Sequence, residues 1–126
     1  MTSTFNIDLQ HGLIFWMLEG VVSSDSLITA MKEIYTAPDF HPNFSLFGDF
    51  SKASFCKTST DALIECAKLN QFSEKSRQYL LVGSVCDFAV LRIFDAYCSI
   101  FNKPAPFIFT DRADALSCIN ADIESR

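Results

Sequence analysis

The spacing of apolar residues changes period repeatedly along this chain, and that alternation constrains the fold more than any other feature. Phe5, Ile7 and Leu9 alternate with Asn6, Asp8 and Gln10, a period of two that gives a strand one buried face. His11-Gly12 is a turn signal. Leu13–Leu18 is a continuous apolar run ending at Glu19-Gly20, which predicts a more buried strand paired with the first as a hairpin. Behind the candidate N-caps Ser23, Ser24 and Asp25, Leu27, Ile28, Met31, Ile34 and Tyr35 recur at helical spacing. Pro38 ends that helix, because the residue before a proline is pushed out of the helical region. Phe44–Phe50 predicts a third strand, closed by Gly48-Asp49. The polar stretch Ser51–Thr60 leads into a helix carrying Ala62, Leu63, Cys66, Ala67 and Leu69 or Phe72 on one stripe. Tyr79–Gly83 predicts a short apolar strand, followed by a helix capped by Asp87 and running to about Asn102. After Pro104 and Pro106, Phe107–Phe109 predicts the last strand. Thr110 and Asp111 cap a final helix with Ala115, Leu116, Ile119 and Ile123 on one side.

The order is β-β-α-β-α-β-α-β-α. Strands alternating with helices predict an α/β fold with a mainly parallel sheet, to which the opening hairpin adds an antiparallel edge. No repeat or linker interrupts residues 1–126, so one domain is expected. Composition agrees: 49% of residues are apolar, 20% are charged, and Gly and Pro number four each, which excludes a disordered or low-complexity chain. Thirteen Phe predict either a bulky aromatic core or apolar surface left over for a partner.

The net charge is −5, and the ten Lys and Arg are scattered singly. Nucleic-acid and anionic-membrane binding both need clustered positive charge, so neither is expected. The five cysteines, Cys56, Cys66, Cys86, Cys98 and Cys118, include no Cys-x-x-Cys pair, and neither His11 nor His41 lies near one; no disulfide framework, metal or other cofactor is predicted. The first residues lack a basic segment followed by an apolar one, and no apolar run approaches a membrane span. These features together predict a cytoplasmic protein.

Three segments carry a resemblance. They are Pro38-Asp39-Phe40-His41-Pro42-Asn43-Phe44 leading into Leu46-Phe47-Gly48-Asp49-Phe50-Ser51, then Phe88-Ala89-Val90-Leu91-Arg92-Ile93-Phe94, then Phe109-Thr110-Asp111-Arg112-Ala113-Asp114-Ala115-Leu116. With Gly12-Leu13-Ile14 they resemble the small STAS-like, or SpoIIAA-like, bacterial proteins over nearly the whole chain. The resemblance implies a four- to five-stranded mixed sheet with packed helices, relatedness to anti-sigma factor antagonists, and a looser likeness in fold to lipid-binding CRAL-TRIO domains. In the antagonists, the strand equivalent to Phe44–Phe50 precedes an Asp-Ser-Ser-Gly segment whose serine accepts phosphate and thereby releases the partner. The matching stretch is Lys57-Thr58-Ser59-Thr60, with Lys57 in place of the Asp and Thr60 in place of the Gly. The resemblance makes Thr58, Ser59 and Thr60 candidate phosphoacceptors, and a helix start would stabilise the added negative charge. The other reading of Ser59 or Thr60 is a plain N-cap.

Other residues invite a chemical reading. Arg92, in an otherwise apolar helix, is either an anion anchor or an Arg paired with Asp95 or Glu65. Asp49 ends a central strand, where open α/β sheets place ligands, and Asp87 follows the neighbouring strand. Together they could serve acid–base chemistry, or each could simply cap a turn. Cys56 lies beside Lys57, which would favour its thiolate. The third helix exceeds the one apolar stripe a surface helix needs, with Val90, Phe94, Tyr97 and Phe101 on one line and Leu91, Cys98 and Ile100 widening it. Either other helices of the same chain cover it, or it meets a partner, a second copy in a homodimer or an apolar ligand, with Phe88, Leu91 and Tyr97 as the candidate contacts. The reading that follows is a non-enzymatic binding or regulatory module with a protein partner. The alternatives are a carrier of an apolar small molecule, which predicts an enclosed Phe-lined cavity, and an enzyme using Asp49 and Asp87, which predicts a cleft where the two converge.

Overall fold

The computed structural model describes residues 1–125. Its elements are β1 (Thr2–Asp8), β2 (Leu13–Val21), α1 (Ser24–Tyr35), β3 (Ser45–Ser54), α2 (Thr60–Leu69), β4 (Gln78–Val82), α3 (Val85–Ile100), β5 (Phe107–Phe109) and α4 (Arg112–Glu124). The five strands form one mixed sheet in the order β1-β2-β3-β4-β5. β1 runs antiparallel to β2, and β2 through β5 are parallel. The α/β class, the mixed sheet and the element order are those the apolar periodicity predicts.

Local chemistry sets the joints. The hairpin turn is held by Asp8, whose Oδ1 accepts from the backbone N–H groups of Gln10 and His11 and whose Oδ2 lies 2.7 Å from His11 Nδ1. Gly12 follows at φ 60, a left-handed conformation that costs glycine nothing. Each helix starts on a side-chain acceptor: Ser23 for α1, Ser59 for α2, Ser84 for α3 and Asp111 for α4. The α3 cap is therefore Ser84 and not Asp87, which sits three residues on, donates its N–H to Ser84 Oγ and accepts from the same hydroxyl through Oδ2.

β3 runs four residues past the predicted end. Ser51–Ser54 does not lead into the next helix but continues the strand: Lys52, Ala53 and Ser54 pair with Glu19, Gly20 and Val21 of β2 beyond a register shift. At the same edge the turn after β4 comes so close to β3 that a Cβ at Gly83 would collide with the Ser51 carbonyl, so only glycine fits there.

The core has two parts, one on each face of the sheet. On the first face Ile14, Trp16, Leu18, Leu46, Phe50, Leu80 and Val82 meet Leu27, Met31 and Ile34 of α1, Cys66 of α2 and Leu91 of α3. Each such large side chain contributes about 1.5–3 kcal/mol when fully buried. Much of the phenylalanine is used here. Trp16 meets Phe50 edge-on at 5.1 Å, and Phe40 and Phe72 pack with Tyr35 in a three-ring cluster with centroids 5.3–5.8 Å apart. On the second face Leu13, Phe47, Tyr79 and Leu81 meet Ala115 and Ile119 of α4. Among the described residues no helix is long and apolar enough to cross a membrane.

Candidate functional site

Open parallel sheets usually bind ligands at the carboxyl ends of their strands, where the strand order reverses and two connections diverge to leave a crevice. Here the spatial order equals the chain order, so no reversal exists. The helices α1, α2 and α3 that link the parallel strands all pack into the same core cluster. The carboxyl edge is instead a shallow surface made by Gly20, Val21, Lys52, Ser54, Gly83 and Ser84.

The hydroxyl-rich start of α2 lies at that edge. Thr58 donates from Oγ1 to the Val22 carbonyl at 2.8 Å. Ser59 is the N-cap, its Oγ accepting from Ala62 N–H at 3.1 Å. Ser24, the first residue of α1, accepts from Ser59 N–H at 3.1 Å and donates to Ser59 Oγ at 3.2 Å. The first turns of α1 and α2 are thereby tied together. Ser59 and Thr60 are exposed and Thr58 is half-buried. The cap reading of Ser59 is realised, and its hydroxyl still faces water. Lys57 and Cys56 are both exposed beside it, and Cys56 Sγ accepts from Ser54 Oγ at 3.1 Å.

Asp49 and Asp87 do not form a pair, since each is engaged with different groups. Asp87 is buried; its Oδ1 accepts from Phe55 N–H at 2.9 Å and its Oδ2 from Ser84 Oγ at 2.9 Å. It latches the β3–α2 connection onto the start of α3. Asp49 engages α4: Arg112 donates to its Oδ2 at 3.0 Å, and Ser51 Oγ donates to its Oδ1 at 2.6 Å. Burial alone would raise the Asp49 carboxyl, but the Ser51 hydroxyl and the Arg112 guanidinium hold it below the ordinary carboxylate range. A carboxylate stabilised in this way is a weak proton acceptor. The Asp49–Arg112 contact was not among the expected ones.

Arg92 is exposed, pairs with Asp95 at 3.5 Å, and has its guanidinium 6.0 Å from the Phe88 ring centroid. It is not among the residues lining the apolar void between the sheet and α1–α3, and the Asp95 reading is the one realised. Of the two readings of α3, cover by the chain's own elements is the one realised at Leu91, which is therefore not available as a partner contact. Leu91 is 3% exposed and belongs to the core under α3. Phe88 packs half-buried against the same cluster, and Tyr97 is half-buried with its ring 6.1 Å from Phe101. α3 is apolar around much of its girth because α2, β4 and β5 all pack against it.

Between the sheet and α1–α3 lies an apolar void of about 50 Å³, lined by Trp16, Phe50, Phe55, Leu91, Phe94 and others. Pockets for drug-sized ligands measure roughly 300–1,000 Å³. Cys66 and Cys98 are buried, and burial pushes their thiols up to about 12 and about 11 respectively, so both stay protonated. Among the described residues no His, Cys, Asp and Glu cluster could hold a metal ion.

One feature escaped the sequence reading. α4 covers only part of the second face, and Phe15 and Met17 of β2 stand 41% and 40% exposed there, beside Thr4 and Asn6 of β1. The signal for it lay in Leu13–Leu18. A strand apolar on both faces is covered on both only if helices flank it on both, and a single helix follows β5.

No protein-family model matches the chain, and no curated protein matches it.

Proposed function

We propose that this chain is a non-enzymatic binding or regulatory module of the STAS-like type, acting in the cytoplasm on a protein partner, with the start of α2 as its regulated element. The observation that carries this reading is the exposed hydroxyl segment at the start of α2, whose cap residue Ser59 is bonded to α1 through Ser24. A phosphate on Ser59 would sit at a helix N-terminus, where negative charge is stabilised, and would replace the Ser24 contact with a charged surface group. Two further features support the reading. Asp49 and Asp87 are separately occupied, which leaves the enzyme alternative without its acid–base pair. The void of about 50 Å³ is too small for a lipid, which counts against the carrier.

Native mass spectrometry of the chain purified from its own host tests this. The expected result is a complex of the 14.1 kDa chain with a second protein, and a population carrying phosphate within Thr58–Thr60. A chain that instead retains an apolar small molecule moves the assignment to a carrier. A chain with neither partner nor phosphate under several growth conditions overturns the proposal.

A further inference from the structure

The two edges of the sheet are finished differently. β5 is three residues long and follows Pro104 and Pro106, so it offers little backbone to a visiting strand. Short strands and prolines are the usual means of blocking an edge. β1 is seven residues long, and its register with β2 runs unbroken from Thr2↔Glu19 to Asp8↔Leu13, with no bulge. Its sequence, Thr-Ser-Thr-Phe-Asn-Ile-Asp, contains no proline and no lysine. Among the described residues no other strand pairs with its outer side. A row of backbone donors and acceptors in the plane of a sheet selects one class of partner, an extended strand.

We propose that the occupant is β1 of a second copy of this chain, paired antiparallel about a two-fold axis near Phe5. An antiparallel strand pair is self-complementary, so one surface serves both copies. Centred on Phe5, the pairing sets Thr2 against Asp8, Ser3 against Ile7 and Thr4 against Asn6. The only charge in β1 is Asp8. The two-fold axis places the two Asp8 side chains at opposite ends of the ladder, each facing a neutral threonine, so no like charges meet. Thr4 and Asn6, both exposed, become polar neighbours across the axis, and Phe5 meets its own copy. The blocked β5 edge stops the assembly at two copies, where an open edge would allow a filament. The sheet then has ten strands, and the exposed Phe15 and Met17 of each copy flank the joint on one continuous face. Seven residues of strand span roughly 23 Å, an edge contact smaller than a standard interface, so the dimer belongs to the weak, reversible class.

Sedimentation equilibrium up to roughly 100 µM should show a monomer–dimer equilibrium of the kind small interfaces give. The double variant Thr4→Lys/Asn6→Lys sets Lys against Lys twice across the axis and should weaken the dimer by about tenfold or more with the circular dichroism spectrum unchanged. The variant Thr4→Glu/Asn6→Glu should do the same. Mixing the two should restore association as a heterodimer, because each Lys then faces a Glu. A wild type that stays monomeric throughout overturns the proposal and leaves the edge to a strand from another protein. Homodimers that survive both substitutions, or variants that fail to associate on mixing, place the interface elsewhere.

Discussion

One face of the sheet is closed by three helices and the other is half covered by one. The same strand supplies both faces. In β2, Ile14, Trp16 and Leu18 point toward α1–α3 and are buried, while Phe15 and Met17 point the other way and meet water. The comparison shows where the apolar surplus of the sequence is spent. α3 carries more apolar residues than a lone surface helix needs, and most of its middle is consumed inside the chain, with Leu91 and Cys98 buried and Phe88, Val90 and Phe94 packed against the core, while Val85 and Ile100 at its two ends stay exposed. Part of the surplus left for water lies in the middle of a strand, at Phe15 and Met17, where an apolar run reads as ordinary core.

Substitutions can test how far the two faces differ. On the closed face Leu91→Ala should cost about 2–5 kcal/mol in urea titration. Leu91→Asp should leave no cooperative transition, since a buried charge adds to that loss and total stabilities are about 5–15 kcal/mol. A folded Leu91→Asp chain would show that the closed face is not closed. Next in size is Asp87→Ala, which leaves the Phe55 N–H without its acceptor and removes the carboxylate that accepts from the Ser84 hydroxyl. A buried donor left unmet costs about 1–3 kcal/mol, readable as a lower midpoint in thermal unfolding.

Arg112→Ala, on the half-covered face, should cost less than about 1 kcal/mol, because half of the guanidinium side chain is in water. Its signature is in the pH dependence. The folded Asp49 carboxyl lies below its ordinary value of 3.8, so its stabilisation is present above that pH and drains away as pH falls through the lowered value. Without Arg112 that loss on acidification should be shallower. Phe15→Ser and Met17→Ser should change stability least, within about 0.5 kcal/mol. A cost of several times that would mean that the half-covered face is sealed in the monomer.

Much of this architecture was legible in the chain. One period-two segment, four short apolar runs and four helical stripes located all nine elements, and Ser23, Ser59 and Asp111 were among the residues expected to cap helices. The misses have physical reasons. Ser51–Ser54 reads as the approach to the next helix because its residues are polar, but this end of β3 pairs only with β2 and is half in water, so polar side chains suit it. Asp87 looked like a cap, whereas Ser84-Val85-Cys86-Asp87 carries the Ser-x-x-Asp signature of a helix start and could have pointed to Ser84 as the cap. The Asp49–Arg112 contact joins residues 63 apart, and no local pattern encodes it. The outward side of α3 could not be chosen from periodicity, because a helix with apolar residues on most sides does not reveal which of them its neighbours cover.

The identity of spatial and chain order in the sheet also bears on how the molecule is built. Each strand from β2 onward pairs with the one before it, so no gap must be held open for a later segment. During synthesis β2 can close on β1, and each following helix and strand can then dock on a surface already formed. Loop closure stays short at every step, which favours rapid folding with little exposed intermediate edge. α4 is the exception in direction, since it crosses to the second face after β5 is in place and covers Phe47, Tyr79 and Leu81. Until α4 docks, that whole face is bare, and its docking removes Phe47, Tyr79 and Leu81 from water while leaving Phe15 and Met17 exposed.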